Sequence, residues 1–341
     1  MRITVLLGGT SAERDVSLVS GLRIAEALRS CSHTVVSVDP ATGVIEPERE
    51  RKLLAEGVKT RPPSLEELSA LSRVSLSPTL GTLPAVKEAE VVFLALHGGQ
   101  GEDGTVQALL DMAGVRYTGS GHLASALAMD KDLSKKLFRA AGVQTADWMM
   151  VTRGEAVPAA DLVGVTLGYP VIVKPSKQGS TVGLSLIEDP KALAGAVEEA
   201  AKYDDEVMLE QFVPGRELTV AVLGDEALPV GEITPKHALY DYECKYTAGM
   251  AEEEFPARLT AEESAMVRSQ ALSAFRALKL RGCARIDFRM PPEGGFYCLE
   301  ANTLPGMTAL SLVPQAAAAR GMSFPELCDR IVALAIEGSR T

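Results

Sequence analysis

Paired cysteines and metal-spaced histidines are missing from this chain. Its 341 residues include five cysteines, an odd number with no Cys-x-x-Cys pair, and four histidines without metal-ligand spacing. These residues are Cys31, Cys244, Cys283, Cys298 and Cys328, and His33, His97, His122 and His237. Neither a disulfide framework nor a zinc site is indicated, and we expect reduced thiols.

Basic clusters and long apolar runs are missing as well. The formal net charge is −11, and no long run of Lys and Arg could follow a phosphate backbone, which argues against a nucleic-acid surface. Apolar runs such as residues 91–96 are far too short to span a bilayer. The first apolar run stops at Gly8-Gly9, before it could serve as a signal peptide. We expect a cytoplasmic protein that binds neither nucleic acid nor membranes.

Two common nucleotide-binding fingerprints are also absent. The turn after the first apolar run lacks the Gly-x-Gly-x-x-Gly pattern, which counts against a nicotinamide-dependent dehydrogenase, and no Walker pattern occurs anywhere. A length of 341 residues with 46% hydrophobic content still suffices for a large core and two or three domains. Any phosphate site in this chain must therefore be built in another way.

What the chain does contain is a polar cluster between residues 285 and 302. The proline- and glycine-rich segment 291–295 predicts a reverse turn between two antiparallel strands. Because alternate side chains of a strand share a face, Arg285 and Asp287 point one way, and Glu300 and Asn302 share a face of the next strand. Asp, Glu and Asn beside a turn are usually solvated surface. Here they interrupt apolar strands, and two carboxylates with a carboxamide suit magnesium.

A second candidate region combines a lysine with a loop of small residues. Residues 170–175 read as a mostly apolar strand that is ended by Pro175. Lys174 lies at the edge of this strand, where its ammonium group could act as a point charge for phosphate. Residues 178–183, which read Gln-Gly-Ser-Thr-Val-Gly, could fold exposed backbone amides over phosphates. Taken alone, such a loop is more often a flexible turn. Its position just after Lys174 favours a phosphate-binding lid.

Near the start of the chain, polar residues follow two predicted strands. Residues 3–7 read as a strand closed by Gly8-Gly9 and followed by a helix over 16–28, and residues 91–96 read as a buried parallel strand that ends at His97. Open α/β sheets bind ligands at this edge. A glycine turn can equally serve tight packing, and a lone histidine is more often structural than chemical.

Several strings of the sequence together resemble one family. These strings are Leu-Leu-Gly-Gly-Thr-Ser-Ala-Glu-Arg-Asp-Val-Ser at 6–17, Leu-His-Gly-Gly-Gln-Gly-Glu-Asp-Gly at 96–104, Tyr-Asp-Tyr-Glu-Cys-Lys-Tyr at 240–246, Gly-Cys-Ala-Arg-Ile-Asp at 282–287 and Leu-Glu-Ala-Asn-Thr-Leu-Pro-Gly-Met-Thr at 299–308. They resemble the D-alanine-D-alanine ligases, members of the ATP-grasp superfamily. The likeness covers nearly the whole chain apart from residues 39–90.

The resemblance implies an α/β (α+β) chain with a three-domain ATP-grasp architecture. An N-terminal domain with an open α/β sheet would span residues 1–119 and bind substrate. A central domain over 120–210 and a C-terminal catalytic domain over 211–341 would each contribute one sheet, and the two sheets would clamp ATP. The strand at 207–213 would lead into the hinge between them.

The resemblance also implies roles for individual residues. The catalytic set would be Glu13, Ser180, Tyr246, Arg285 and Gly306. Glu13, His97, Arg285, Gly306 and Ser311 would bind the amino-acid substrates. ATP would be bound by Lys131, Lys174, Ser180, Glu210, Gln211, Val213, Glu217 and Lys245. The metal ligands would be Asp287, Glu300 and Asn302, holding two Mg²⁺ or Mn²⁺ ions.

The implied activity is the ATP-dependent joining of two D-alanines through an acyl phosphate, for peptidoglycan precursors. Tyr246 in the 240–246 segment points to an amine acceptor and thus to a dipeptide. A ligase that uses D-lactate or D-serine as second substrate, and a catalytically silent nucleotide-binding protein, are the alternatives. We expect the active form to be a homodimer.

Three further expectations concern structure outside these motifs. Residues 39–90 are expected to form loops, a short helix near 65–71 and a hairpin around 74–83. Helices over 266–278 and 325–336 are expected to cover the last sheet. Cys244 stands where the family pattern leads us to expect a small residue, and in a polar loop its thiol would be accessible and reactive.

Overall fold

The computed structural model describes residues 1–59, 63, 67, 80–237, 240, 242–247 and 249–338. Helices and strands are numbered in chain order over these residues. The strands are β1 (Arg2–Leu6), β2 (Thr34–Asp39), β3 (Gly43–Val44), β4 (Val91–Leu94), β5 (Trp148–Thr152), β6 (Val171–Pro175), β7 (Ser185–Ile187), β8 (Glu206–Gln211), β9 (Arg216–Leu223), β10 (Glu226–Ala227), β11 (Gly231–Pro235), β12 (Ala251–Glu254), β13 (Cys283–Met290) and β14 (Tyr297–Asn302).

The helices are α1 (Arg14–Ser30), α2 (Pro47–Glu56), α3 (Pro84–Lys87), α4 (Thr105–Met112), α5 (His122–Met129), α6 (Lys131–Ala140), α7 (Ala160–Thr166), α8 (Leu193–Ala200), α9 (Tyr242–Tyr246), α10 (Ala261–Ala277), α11 (Leu312–Ala319) and α12 (Phe324–Glu337). No helix in the described part of the chain is long and apolar enough to cross a membrane.

The first sheet has the strand order β3-β2-β1-β4, with β1 parallel to both of its neighbours. After β1 the chain turns at Gly8 and Gly9, whose φ angles of +82° and +75° suit glycine best. Helix α1 then packs so closely that a Cβ on Gly21 would collide with Leu7. This places the start of α1 at the carboxyl edge of β1, as the sequence predicts.

The second sheet has the order β5-β8-β6-β7, and all its pairs are antiparallel. Its apolar face packs against α7 and α8 through a core that includes Val163, Val173, Val197 and Leu209. The opposite face carries Lys174 and Glu210, which lie on adjacent strands β6 and β8. Alternation along each strand therefore separates the core from a polar surface.

The third sheet has the order β12-β11-β9-β13-β14, with β10 paired to β9. Helix α10 covers it, as predicted, and starts at a capping box between Thr260 and Glu263. Helices α5 and α6 pack on the same core, where Ala128 and Phe138 join Ile286. The three sheets agree with the expected three-part ATP-grasp architecture, whereas the domain boundaries at 119 and 210 stay predictions.

Helix α12 corrects one expectation. The sequence predicts that it covers the last sheet, but its main contacts are with α1 and β4. Leu327 and Ile331 share a core with Leu28 of α1 and Phe93 of β4, and Ala221, Leu223 and Cys283 of the last sheet also belong to that core. An apolar helix face must be buried, but the sequence pattern does not specify which sheet buries it.

The region 39–90 is more regular than expected where it is described. Helix α2 begins with Pro47, a residue suited to the first helical position, and a 3₁₀ turn spans Leu80–Thr82. Apart from Glu67, the predicted helix near 65–71 lies outside the described residues, as does most of the predicted hairpin around 74–83.

Candidate functional site

The polar cluster of the last two strands forms as the sequence predicts. In the antiparallel pair β13 and β14, Arg285 lies opposite Asn302 and Asp287 lies opposite Glu300. The connecting turn closes with a hydrogen bond from the Gly294 amide to the Pro291 carbonyl, at 2.9 Å. All four polar side chains therefore stand on one surface of the third sheet.

Charges within this cluster compensate one another. Arg285 Nη2 lies 2.8 Å from Asp287 Oδ2, and the Thr219 hydroxyl donates to Asp287 Oδ1 at 2.7 Å. Burial alone would raise the pKa of Glu300, but Lys131, Lys245, Lys174 and Arg285 outweigh it and lower the pKa to about 2. Glu300 is thus a carboxylate surrounded by cations.

A cavity separates the second and third sheets. We call it the nucleotide cavity. Its lining includes Arg285, Asp287 and Glu300. It also includes all eight predicted ATP-binding residues: Lys131, Lys174, Ser180, Glu210, Gln211, Val213, Glu217 and Lys245. Ammonium groups together with apolar positions such as Ile172 and Leu299 suit a phosphorylated ligand with a flat base.

A second cavity adjoins the first. We call it the substrate cavity. It is lined by Glu13, His97, Tyr246, Asn302, Gly306 and Ser311. Both cavities share Lys131, Ser180, Lys245, Arg285 and Glu300. The two cavities therefore meet at a junction rich in positive charge, where a carboxylate in one and a phosphate in the other could come together.

Glu13, Ser180 and Tyr246 form one hydrogen-bonded group across this junction. Ser180 Oγ donates to Glu13 Oε1, and the Tyr246 hydroxyl donates to the same oxygen at 3.1 Å. Burial and the nearby Glu13 raise the pKa of Tyr246 well above its usual value, so its hydroxyl keeps the proton it donates. Ser180 and Thr181 have φ angles of +51° and +59°, which are uncommon for such residues and make this loop a candidate functional element.

His97 is buried beside the substrate cavity at the end of β4. Its Nδ1 lies 2.8 Å from the Leu304 carbonyl oxygen, which can only accept, so Nδ1 carries the proton. Burial lowers the pKa of His97, which favours the neutral imidazole. His97 therefore links the first sheet to the segment after β14, and its Nε2 atom faces the buried Ser20 hydroxyl.

Gly306 and Ser311 lie together at the start of α11. Ser311 Oγ accepts from the Thr308 amide at 2.9 Å, and a Cβ added to Gly306 would lie only 2.8 Å from that oxygen. Any side chain at position 306 would therefore displace the Ser311 hydroxyl. A backbone amide and a hydroxyl are thus available side by side to bind an anionic group.

Three functional candidates escaped the sequence analysis: Glu102, Lys135 and Arg289. Glu102 accepts from the amides of Gly98 at 3.1 Å and Leu304 at 3.2 Å. Lys135 forms an ion pair with Glu210, and Arg289 lies 3.2 Å from Glu217. Helical spacing from Lys131 to Lys135 and strand alternation from Asp287 to Arg289 are the signals that could have found two of them.

The expectation of a reactive Cys244 is wrong. Residues 242–246 form the short helix α9, in which Tyr242 and Tyr246 share one face with ring centroids 4.8 Å apart. Cys244 faces the other way and is 2% exposed, in an apolar cluster with Ile233 and Leu312. The polar sequence of this segment predicted a loop. In the structure it forms a helical turn, which places Cys244 on the buried side.

The donor set suits a magnesium ion. Asp287 and Glu300 both line the nucleotide cavity, and the Asn302 carboxamide stands next to them, within reach of Arg285 at 3.3 Å and Glu102 at 2.7 Å. In the described residues no group of three His, Cys, Asp or Glu side chains has metal-ligand geometry. Two carboxylates beside a phosphate-sized space fit magnesium, which keeps most of its positions for water and phosphate.

Two sheets that enclose a cavity lined with lysines and carboxylates define an enzyme of the ATP-grasp class. Two family models match the chain, "D-ala D-ala ligase N-terminus" over residues 2–120 and "D-ala D-ala ligase C-terminus" over residues 137–333. The chain belongs to the D-alanine–D-alanine ligase family.

Individual relatives agree with this assignment. The chain is 42% identical over 332 residues to a D-alanine–D-alanine ligase from Syntrophotalea carbinolica, an alignment that covers 97% of this chain and 95% of the relative. A crystal structure of the ligase from Bacillus anthracis complexed with ATP is 30% identical, with a TM-score of 0.75 and coverage of 99% and 98%. A D-Ala:D-Ser ligase from Enterococcus faecalis is 28% identical, with a TM-score of 0.80 and coverage of 98% of each chain.

Proposed function

We propose that this protein joins two D-alanine molecules into D-alanyl-D-alanine at the expense of ATP. The observation that carries the proposal is the junction of the two cavities, where Ser180, Lys245, Arg285 and Glu300 belong to both linings. An amino-acid carboxylate in the substrate cavity would thereby meet the γ-phosphate of a nucleotide. Phosphoryl transfer between them gives an acyl phosphate, which an amine can attack.

The first D-alanine would be oriented by Glu13 and His97. The Glu13 carboxylate, held by Ser180 and Tyr246, pairs with the substrate ammonium group, which directs the substrate carboxylate away from it and toward the junction. Holding two reactants in the correct orientation contributes much of the rate acceleration in such reactions. His97 closes the other side of the cavity as a neutral imidazole.

Phosphate would be bound by cations contributed from three parts of the chain. Lys131, Lys174 and Lys245 line the nucleotide cavity and neutralise charge as the phosphoryl group moves. When magnesium is bound, by Asp287, Glu300 and Asn302, it supplies further neutralisation of the phosphate oxygens. Mn²⁺ and a two-ion arrangement stay predictions.

The adenine base would lie beside Glu210, Gln211 and Val213, and Glu217 would contact the ribose.

Arg285 and Gly306 would act in the second step. When the amine of the second D-alanine attacks the acyl phosphate, negative charge develops on the former carbonyl oxygen. The guanidinium of Arg285 and the Gly306 amide would stabilise that charge, an effect worth about 3 to 4 kcal/mol for each donor. Ser311 would hold the carboxylate of the second substrate, next to Leu310. The product serves peptidoglycan precursors, and we expect a homodimer in the cytoplasm.

The test is phosphate release from MgATP in the presence of single and paired substrates. D-Alanine alone should give release and a D-alanyl-D-alanine product identified by mass. Parallel reactions contain L-alanine, D-alanine with D-lactate, and D-alanine with D-serine, the last because the chain is similar to a D-Ala:D-Ser ligase. Release with a mixed pair only would reassign the second substrate, and nucleotide binding without turnover would leave a silent nucleotide-binding protein.

A further inference from the structure

Lys135 is a fully buried charged residue to which the proposed reaction assigns no role. It lies on α6 one turn after Lys131, and its side chain is 0% exposed. Its ammonium group pairs with Glu210 Oε1 and lies 5.1 Å from the centre of the Trp148 ring. Because an unpaired ammonium group in such a place would be strongly destabilising, Glu210 is the reason that Lys135 can be buried.

Glu210 holds two lysines, one on each carboxylate oxygen. Oε1 accepts from Lys135 and Oε2 accepts from Lys174 at 2.6 Å. The two lysines differ in their access to ligands, because Lys174 lines the nucleotide cavity and Lys135 lies behind it with no exposed surface. Burial lowers the pKa of Lys135, and the Glu210 carboxylate opposes that shift. With both lysines protonated, one carboxylate leaves one positive charge unpaired, and of the two lysines only Lys174 can carry that charge to a ligand.

We propose that Lys135 is a positioning residue, the permanent counter-ion of Glu210 that releases Lys174 to bind nucleotide phosphate. On binding, Lys135 keeps Oε1, Lys174 moves from Oε2 to a phosphate oxygen, and Oε2 accepts from the 6-amino group of adenine. This inference rests on the proposed function in taking the ligand to be ATP. One exchange at Glu210 would couple recognition of the base to recognition of the phosphates.

Charge is conserved through this exchange. Before it, Glu210 neutralises one of two lysines; after it, Lys135 is paired with Glu210 and Lys174 with phosphate. Although burial alone would raise the pKa of Glu210, Lys135 and Lys174 bring it to about 2, so the carboxylate stays ionised throughout the neutral range. Without Lys135, Lys174 would be the one cation paired with Glu210 among the described residues, and nucleotide would have to compete with the carboxylate for it.

The experiment compares Lys135→Met with the wild type and with Lys136→Met, a matched control on the same helix whose side chain is 59% exposed. Calorimetry measures the dissociation constant of a non-hydrolysable ATP analogue with magnesium, and steady-state kinetics compare ATP with ITP, whose base lacks the 6-amino group. Compared with the wild type, Lys135→Met should bind the analogue at least about tenfold more weakly. Its preference for ATP over ITP should also be smaller. The KM for D-alanine should stay unchanged, and Lys136→Met should resemble the wild type.

A second background separates positioning from simple loss of structure. In Glu210→Gln there is no carboxylate to neutralise, so adding Lys135→Met should change analogue binding by less than about twofold. If Lys135→Met does not fold by circular dichroism, Glu210→Gln with and without Lys135→Met is still compared, and a loss of analogue binding larger than about twofold there overturns the proposal. The proposal is overturned if folded Lys135→Met binds as the wild type does, or if the loss is equally large in the Glu210→Gln background. Binding without turnover in the wild type would count against the proposed function and leave this comparison valid.

Discussion

Two buried glutamates, one beside each cavity, have opposite pKa shifts. Burial and the nearby Glu13 raise the pKa of Glu102 to about 7. Glu210 is as deeply buried, but its two lysines outweigh burial and lower the pKa to about 2. The exposed fractions, 8% and 3%, are similar. The difference therefore comes from the partners, which are uncharged amides for Glu102 and two ammonium groups for Glu210.

This contrast extends to the two cavities as a whole. The nucleotide cavity has compensated charge pairs on paired strands, such as Lys174 with Glu210 and Arg289 with Glu217. The substrate cavity depends on hydrogen bonds between distant parts of the chain, such as Glu13 with Tyr246. Changes in the substrate cavity should therefore affect D-alanine binding and pH dependence, whereas changes in the nucleotide cavity should affect ATP.

Arg285 lines both cavities. Its substitution should therefore affect D-alanine and ATP together more than any other substitution. We expect Arg285→Met to lower kcat by about 10² to 10³ through loss of a charge-stabilising donor. Because Asp287 would lose the guanidinium 2.8 Å away, unfolding should also become easier, by about 3 to 5 kcal/mol. Steady-state kinetics and urea unfolding measure the two effects.

Arg216→Met is the matched control for that variant. Arg216 makes a comparable two-pronged pair with Glu232, at 2.7 and 2.6 Å, but lines neither cavity. It should keep kcat within about twofold and lose at most about 1 kcal/mol of stability, as an accessible ion pair does. Equal losses of kcat in both variants would show that Arg285 acts on stability alone.

Glu102 should make stability depend on pH near neutrality. Its carboxyl loses its proton near pH 4.5 in the unfolded chain and near pH 7 in the folded one, so the folded state binds more protons between these values. Stability contributed at this site is then full below pH 4.5 and falls as the pH rises to 7, by about 3 kcal/mol. Glu102→Gln should abolish this fall.

The measurement is the free energy of unfolding in urea at several pH values, expressed as variant minus wild type so that other titrating groups cancel. The exposed Glu293, changed to Gln, controls for the loss of a carboxyl group elsewhere. A difference that stays constant from pH 4.5 to pH 7 for Glu102→Gln would mean that Glu102 has a partner charge and that the two glutamates are alike.

Tyr246→Phe should affect the substrate cavity alone. It removes one donor to Glu13 and should raise the KM for D-alanine about tenfold, the usual cost of a hydrogen bond to a charged group, while the KM for ATP stays within about twofold. Tyr242→Phe is the control, because that hydroxyl is buried without a hydrogen-bond partner among the described residues. A KM for ATP that rises as much as that for D-alanine would end the separation of the two cavities.

The sequence was sufficient where the functional geometry is local. The opposition of Asp287 and Glu300 follows from strand alternation and one turn, and the positions of Glu13 and His97 follow from strands that end in a common edge. The family resemblance added lining residues such as Glu13, Tyr246 and Gly306, which stand inside recognisable strings. Local rules and short motifs carry this much information.

Long-range packing escaped for a physical reason. Lys135 and Glu210 are 75 residues apart. Neither the amphipathic pattern of a helix nor the charge of a residue predicts which distant residue that side chain will contact. Helix α12 shows the same limit, since its apolar face fits either sheet. Cys244 shows another, because a helix of five residues is too short for periodicity to reveal which side is buried.

The smallest expected effect tests how firmly α9 closes the substrate cavity. Cys31 is partly exposed and the other four cysteines are buried, so iodoacetamide should label Cys31 alone in the native protein, with activity changed by less than about twofold. Mass spectrometry of the alkylated protein identifies the labelled sites, and a urea-unfolded sample shows all five. Rapid labelling of Cys244, prevented by MgATP with D-alanine, would mean that α9 opens in solution. The substrate cavity would then differ from the nucleotide cavity in mobility as well as in charge.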